Sequence, residues 1–190
     1  CLSLWKEIAD RVPRARFAFS PISPGHRPAY ERLAAAAGIP ADRLLFLPQG
    51  RNDAENQARY RVVDVVLDPM PFGNVNGTIE PLAMGVPVVT LVGRRHGERT
   101  SYSILSNLGA TATIAQSGRE YVNLAVRLVE DASFAAEVRE TIASGLESSP
   151  LVDGSAHTRH LEAAYLAAIG EVVPQALADA GQASLRHSGD

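Results

Sequence analysis

The chain has 190 residues, 46% hydrophobic and 21% charged, a composition typical of a globular domain with a buried core. Its 18 Lys and Arg against 21 Asp and Glu leave a net charge of −3, which argues against a nucleic-acid-binding surface with clustered cations. The single cysteine, Cys1, excludes a disulfide framework and a cysteine-ligated metal site. No apolar run reaches membrane-spanning length and no secretory signal opens the chain, so we expect no membrane partner and a cytoplasmic location.

The first half of the chain alternates predicted helices and strands. We predict helices over 2–12 and 28–37 and strands over 16–20 and 44–47. This alternation is typical of a parallel sheet whose strands are joined by crossover helices. A polar loop follows the second strand, and its Asp53 is placed to cap the next helix, predicted to run from Ala54 to Arg61.

The segment 64–91, DVVLDPMPFGNVNGTIEPLAMGVPVVTL, predicts a buried strand, a polar loop, a short helix and a second buried strand. Its apolar runs are short and bounded by turn residues, which is the pattern of parallel strands covered on both faces. Thr78 is placed to cap a helix that begins near Ile79. The loop before it contains residues that permit tight turns and close backbone approach, namely Gly73, Asn74, Asn76 and Gly77. Such a loop at the carboxyl end of a parallel strand is where phosphate-bearing ligands bind in open α/β sheets.

Glu80 lies in the first turn of this predicted helix. A carboxylate there is favoured by the helix dipole and can accept hydrogen bonds from a ribose diol. The alternative is that Glu80 only complements the dipole at the protein surface, and the spacing alone does not decide between the two.

A second polar loop, Gly93–Ser101, follows the second buried strand and precedes another helix. It combines three arginines, a histidine and a helix N-terminus, which suit an anion. We expect Arg94 and Arg95 to be exposed, and Arg99 either to contact the anion or to tie the loop down. His96 either pairs with Glu98 or faces the ligand.

The last part of the chain predicts a short edge strand followed by helices. The strand covers 112–114, and Ser117 begins a long helix with Glu120 at capping-box spacing. Two more helices are predicted over 132–142 and 156–169. The Ala/Gly/Ser-rich tail, 170–190, lacks a periodic apolar face, so we expect it to be disordered.

The central segment resembles the donor-binding segment of glycosyltransferase family 41, the O-GlcNAc transferase and SPINDLY-like group. In that family an L-D-x-x-P strand end leads into a Gly/Asn/Thr loop, an acidic residue on the next helix and a G-x-P-x-V-T strand. The matching residues are Asp68, Gly73, Asn74, Asn76, Gly77, Thr78, Glu80, Gly85, Pro87, Val89 and Thr90. The variant FGNVNGTIE is closer to the cytoplasmic N-glycosyltransferase branch, since Val75, Asn76 and Gly77 stand where the animal O-GlcNAc enzymes carry His-Thr-Thr.

The resemblance covers roughly residues 2–169 and implies a Rossmann-like parallel sheet with helices on both faces. Residues 1–169 would form the C-terminal, nucleotide-sugar-binding half of a GT-B glycosyltransferase. The implied reaction is metal-independent, inverting transfer from a UDP-sugar to a protein, first of all to Ser or Thr as in O-GlcNAc transferases. No cofactor is implied. The expected partners are the UDP-sugar donor, a protein acceptor, an N-terminal GT-B half and, if the full protein has them, helical repeats upstream of Cys1.

The resemblance also assigns roles to residues of the central loop. By this resemblance, Asn76, Gly77 and Thr78 would donate hydrogen bonds to the diphosphate from N–H or hydroxyl groups. Asn74 would be a further substrate-binding residue. Glu80 would take the ribose hydroxyls.

Further candidates lie in the two flanking loops. Arg99 would support the phosphate side, and His96 is a second candidate in its loop. In the resembled family the loop after the second strand wraps the uracil and supplies a basic residue toward the diphosphate. The candidates for that residue are Arg51, Gln57 and Arg59.

No general base is identified, so the catalytic residues stay unknown. In the resembled family an important lysine lies in a Y-K-I-like segment shortly before the helix that opens this chain. We therefore expect the chain to be a fragment of a larger enzyme that binds UDP but transfers little sugar alone.

Three other functions fit parts of the pattern. One is an asparagine-directed N-hexosyltransferase, another is a UDP-sugar epimerase, and the third is a UDP-binding or interaction module without activity. A dinucleotide dehydrogenase is disfavoured, because no G-x-G-x-x-G follows a predicted strand.

Overall fold

The computed structural model describes the backbone of residues 1–186 and the side chains of residues 1–170 except that of Pro24. Helices and strands alternate through the first part of the chain, as the sequence predicts. The strands are β1 (Phe17–Ile22), β2 (Leu44–Pro48), β3 (Val66–Leu67), β4 (Val88–Leu91) and β5 (Ile114–Ala115). The helices are α1 (Leu2–Arg11), α2 (Arg27–Ala36), α3 (Asp53–Ala58), α4 (Asn76–Ala83), α5 (Thr100–Leu108), α6 (Gly118–Glu130), α7 (Ala132–Ser148) and α8 (Gly154–Arg186).

The strand pairs of the described residues are all parallel, which confirms the predicted sheet type. β1 pairs with β2, and β3, β4 and β5 form a second set in that order. In the second set Val66 lies opposite Val88, and Thr90 lies opposite Ile114. Because β3 and β4 run in the same direction, their carboxyl ends and the loops that follow meet at one edge of the sheet.

The core is built around β4. Val88 and Val89 are consecutive residues that point to opposite faces, and both are 0% exposed, so helices cover this strand on both sides. Helix α6 packs against β4 and α1, and its Tyr121 and Val122 are also fully buried. The apolar side of α6 therefore faces the core.

Several helix boundaries differ from the predictions. The side chain of Asn52, and not that of Asp53, caps α3 by accepting a hydrogen bond from the Glu55 N–H at 2.9 Å. Helix α3 ends at Ala58, and a 3₁₀ turn, Arg59–Val62, takes the place of its last predicted turn. Ser117 does cap α6, as predicted.

The chain divides into two compact units, Cys1–Ser149 and a second that begins at Pro150. The second unit contains α8, whose first turn is capped by the Asp153 carboxylate at 2.8 Å from the Ala156 N–H. Helix α8 continues to Arg186. The predicted domain end at residue 169 and the predicted disorder of 170–190 stay predictions. Residues 187–190 lie outside the described residues. No helix in the described range is long and apolar enough to cross a membrane.

Arg43 joins the start of the chain to the first sheet. Its guanidinium donates three hydrogen bonds, each 2.8 Å long, to the carbonyl oxygens of Ala9, Val12 and Ala15. These carbonyls belong to the end of α1 and the turn that leads into β1. A single planar fork therefore satisfies backbone groups that the helix end leaves open.

We predict that Arg43→Met lowers the free energy of unfolding by about 1.5–3 kcal/mol, the range for hydrogen bonds to a charged group. Urea denaturation would measure it. Arg27→Met is the matched control, because Arg27 pairs with Glu31 at an exposed site, where an ion pair contributes little. Equal losses in the two variants would contradict a special role for Arg43.

Candidate functional site

Asp68 fixes the loop that leaves β3. Its side chain is buried, and its Oδ2 accepts a hydrogen bond from the Thr90 hydroxyl at 2.7 Å. Its Oδ1 accepts one from the Asn74 N–H at 3.1 Å. Burial raises the pKa of Asp68, while hydrogen bonds from Thr90, Ser101 and Asn74 oppose that shift. The carboxylate thus ties the loop to the neighbouring strand β4.

The start of α4 is capped by Asn74, so the prediction that Thr78 caps it is wrong. The Asn74 Oδ1 accepts a hydrogen bond from the Gly77 N–H at 2.9 Å. Thr78 is 0% exposed, and its hydroxyl donates to the Asn74 carbonyl and lies 2.8 Å from the Ser101 Oγ. The Gly77 N–H and the Thr78 hydroxyl are therefore already bonded within the protein, contrary to the expectation that they face a diphosphate. Within the part of the chain described, the exposed Asn76 has no acceptor for its N–H.

The loops after β3 and β4 are joined by one backbone hydrogen bond, from the Gly73 N–H to the Gly97 carbonyl at 2.9 Å. Gly73 is packed so closely that a Cβ on it would lie 2.7 Å from the Thr100 Oγ1. That buried Thr100 hydroxyl has no hydrogen-bond partner among the described residues. A side chain at position 73 would therefore require the Thr100 side chain or the backbone beside it to shift.

The loop after β4 is held together by its own charged residues. The Glu98 carboxylate accepts hydrogen bonds from the N–H groups of Arg94 and Arg95 at 2.9 and 3.1 Å, and these bonds lower the pKa of Glu98. Arg99 donates to the Gly93 carbonyl at 3.1 Å, and its guanidinium lies 4.4 Å from the centre of the Tyr102 ring. Of the two predicted roles for Arg99, the structure shows the one that ties down the loop.

The remaining cations of this loop are exposed. Arg94 and Arg95 extend into solvent, which confirms the expectation for them. His96 is exposed as well, and Glu98 bonds to backbone N–H groups in place of the predicted pairing with His96. Anion binding by this loop stays a prediction, and Arg99 is its one cation that is partly buried.

An open cavity of about 360 Å³ lies between α3 and the first turns of α4. It is lined by residues of both helices, namely Asp53, Asn56, Gln57, Asn76, Ile79 and Glu80. The cavity therefore joins two predicted site residues, Asn76 and Glu80, with three polar residues of α3. Across the described residues, no group of three or more His, Cys, Asp or Glu side chains is placed to hold a metal ion.

Glu80 receives two hydrogen bonds at one of its carboxylate oxygens. Its Oε2 accepts from the Arg59 Nη2 at 2.8 Å and from the Tyr60 hydroxyl at 3.1 Å. Both donors bind the same oxygen, which leaves Oε1 for another donor. Glu80 is therefore more than the surface dipole partner of the alternative interpretation.

The three candidates from the loop after β2 take different positions. Arg51 is 89% exposed, forms an ion pair with Glu55 at 2.7 Å and does not line the cavity. Gln57 lines the cavity. Arg59 is bound to Glu80 with its side chain only 12% exposed. The sequence named Arg59 but missed its partner Glu80 and the contribution of Tyr60, because no periodic signal relates residues on separate elements.

Comparison with known proteins shows which family the chain resembles. The family model for glycosyl transferase family 41 matches residues 1–161. The chain is 32% identical over 168 residues to a protein from Oryza sativa subsp. japonica named as a probable UDP-N-acetylglucosamine–peptide N-acetylglucosaminyltransferase SPINDLY. It is 29% identical over 167 residues to a Caenorhabditis elegans protein named as a UDP-N-acetylglucosamine–peptide N-acetylglucosaminyltransferase. These matches cover 86% and 85% of the chain, but only 18% and 14% of the relatives' own length.

The fold matches a solved structure, a mutant of the O-GlcNAc transferase from Thermobaculum terrenum. The TM-score is 0.77 at 33% identity, and the match covers 86% of this chain and 32% of that one. Both the sequence and the architecture thus agree with the resemblance carried by the central loop. The chain belongs to glycosyltransferase family 41.

Proposed function

We propose that the chain is the UDP-sugar-binding part of an inverting protein glycosyltransferase that transfers N-acetylglucosamine to Ser or Thr. The observation that carries the proposal is the open cavity beside the start of α4, with the free Oε1 of Glu80 and the N-terminal turn of the helix at its edge. The names of the relatives support this donor and a peptide acceptor.

Each part of a uridine diphosphate has a chemically suitable group in this cavity. The Asn76 N–H and the positive end of the α4 dipole suit the diphosphate. The carboxylate of Glu80 suits the ribose hydroxyls, and the exposed side chain of Ile79 offers an apolar surface to the base. Asn74, with its bond to the Gly77 N–H, then shapes the loop.

A second candidate is transfer of a hexose to asparagine, favoured by the loop FGNVNGTIE. Val75 is 44% exposed in that loop and offers no side-chain hydrogen bond to a phosphate. Mass spectrometry of a modified acceptor protein distinguishes the candidates, because a hexose and an N-acetylhexosamine differ in mass and the modified residue differs in type.

We predict that Glu80→Ala weakens UDP binding by about ten- to a hundredfold, because removal of a charged hydrogen-bonding partner costs about 1.5–3 kcal/mol. Isothermal titration calorimetry measures the change. The matched control is Glu31→Ala, whose carboxylate accepts from Arg27 at the same 2.8 Å but lies on α2. Unchanged UDP affinity in Glu80→Ala would remove this residue from the site, and no UDP binding by the unaltered chain would overturn the proposal.

We predict that the 190-residue chain binds UDP but transfers little or no sugar, since it spans 18% of the plant relative's length. The test supplies radiolabelled UDP-N-acetylglucosamine and a Ser/Thr peptide and counts label on the peptide. Robust transfer would show that these residues contain a complete catalytic site.

A further inference from the structure

We propose that Arg59 and Tyr60 are positioning residues that orient the Glu80 carboxylate toward the ribose hydroxyls of a bound nucleoside diphosphate. The inference rests on the function proposed above. It adds two residues that contact Glu80 and not the ligand.

The three side chains form a closed triangle of contacts. The Arg59 Nη2 lies 2.8 Å from the Glu80 Oε2 and 3.1 Å from the Tyr60 hydroxyl oxygen. The Tyr60 hydroxyl lies 3.1 Å from the same Glu80 Oε2. Two donors converging on one oxygen restrict the rotation of the carboxylate, so the position of the second oxygen is set as well.

The Arg59 side chain also contacts Tyr60 and Asn56. Its guanidinium lies 4.9 Å from the centre of the Tyr60 ring, and its Nη1 is 3.3 Å from the Asn56 Oδ1. That same Asn56 oxygen accepts a hydrogen bond from the Gly50 N–H at 2.7 Å. Through Arg59 and Asn56, the Glu80 side chain is therefore connected to α3 and to the loop after β2. Burial raises the pKa of Tyr60, which keeps its hydroxyl protonated as a donor near neutral pH.

The low exposure of the Arg59 side chain distinguishes a positioning role from direct contact with the ligand. Arg59 is 12% exposed against 38% for Glu80, and neither Arg59 nor Tyr60 lines the cavity. The Nε of Arg59 is buried and has no hydrogen-bond partner among the described residues. Arg59 therefore acts on a ligand through Glu80.

The test compares two ligands, UDP and 2′,3′-dideoxy-UDP, by isothermal titration with the 190-residue chain. Dideoxy-UDP lacks the hydroxyls that Glu80 would receive. We expect Arg59→Gln to weaken UDP by about tenfold and Tyr60→Phe by about threefold, the scale of one hydrogen-bond partner. Both variants should bind dideoxy-UDP as the unaltered chain does. In a Glu80→Ala background, Arg59→Gln should cause no further loss.

Two further variants serve as controls. Arg127→Gln removes a comparable arginine, which pairs with Asp131 at 3.2 Å and lies 3.9 Å from the centre of the Phe134 ring, and it should leave UDP affinity unchanged. Arg59→Lys keeps the charge but loses the planar fork, so it should restore only part of the affinity. Thermal melting of each variant identifies any that fails to fold, in which case Tyr60→Phe carries the test.

The outcomes separate the two proposals. Equal weakening of UDP and dideoxy-UDP by Arg59→Gln would show a general structural effect and overturn the positioning role. A second result would also overturn the positioning role: Glu80→Ala weakens UDP binding, but Arg59→Gln and Tyr60→Phe leave the UDP affinity unchanged. In that case the proposed function would still stand. Failure of the unaltered chain to bind UDP would overturn the proposed function and the inference with it.

Discussion

The buried carboxylate of Asp68 is the constraint on which the candidate site depends. Two of its hydrogen bonds reach in different directions, one to Thr90 on the neighbouring strand and one to the amide of Asn74 in the loop. The loop is thereby placed relative to the sheet, and Asn74 in turn caps α4 through the Gly77 N–H. A buried charge is costly unless it is hydrogen-bonded, so few other loop conformations can satisfy Asp68. The position of α4, and of Glu80 on it, follows from this attachment.

Two glutamates near this edge show how environment decides the role of a carboxylate. Glu98 accepts hydrogen bonds from consecutive backbone N–H groups, so its charge is used to close its own loop. Glu80 is bound by the side chains of Arg59 and Tyr60 at one oxygen only, beside an open cavity. The first arrangement stabilises a loop, and the second leaves an oxygen that, in our proposal, receives the ribose hydroxyls. Two arginines differ in the same way. Arg99 donates to a backbone carbonyl of its own loop, whereas Arg59 donates to the Glu80 carboxylate.

The chain belongs to glycosyltransferase family 41. Its parallel strands end at one edge of the sheet, and a capped helix, α4, begins there. The matched O-GlcNAc transferase shares this architecture, and the match covers 32% of that protein's chain. The 190 residues thus span only part of the relatives they match. Their contribution, in our proposal, is to hold the donor.

The sequence placed Glu80 on a helix but predicted that the helix begins near Ile79; α4 begins at Asn76, so Glu80 lies beyond its first turn. By itself the sequence determined the alternation of helices and strands and the burial of Val88 and Val89. These features depend on neighbours within a few residues, which apolar runs and capping residues report directly. Only the tertiary structure decided that Thr78 is buried against Ser101 and that Arg59 meets Glu80, because each pair lies on separate elements more than 20 residues apart in the chain. Residue type shows that such a group can donate or accept a hydrogen bond, but the packing of the elements determines which partner it meets.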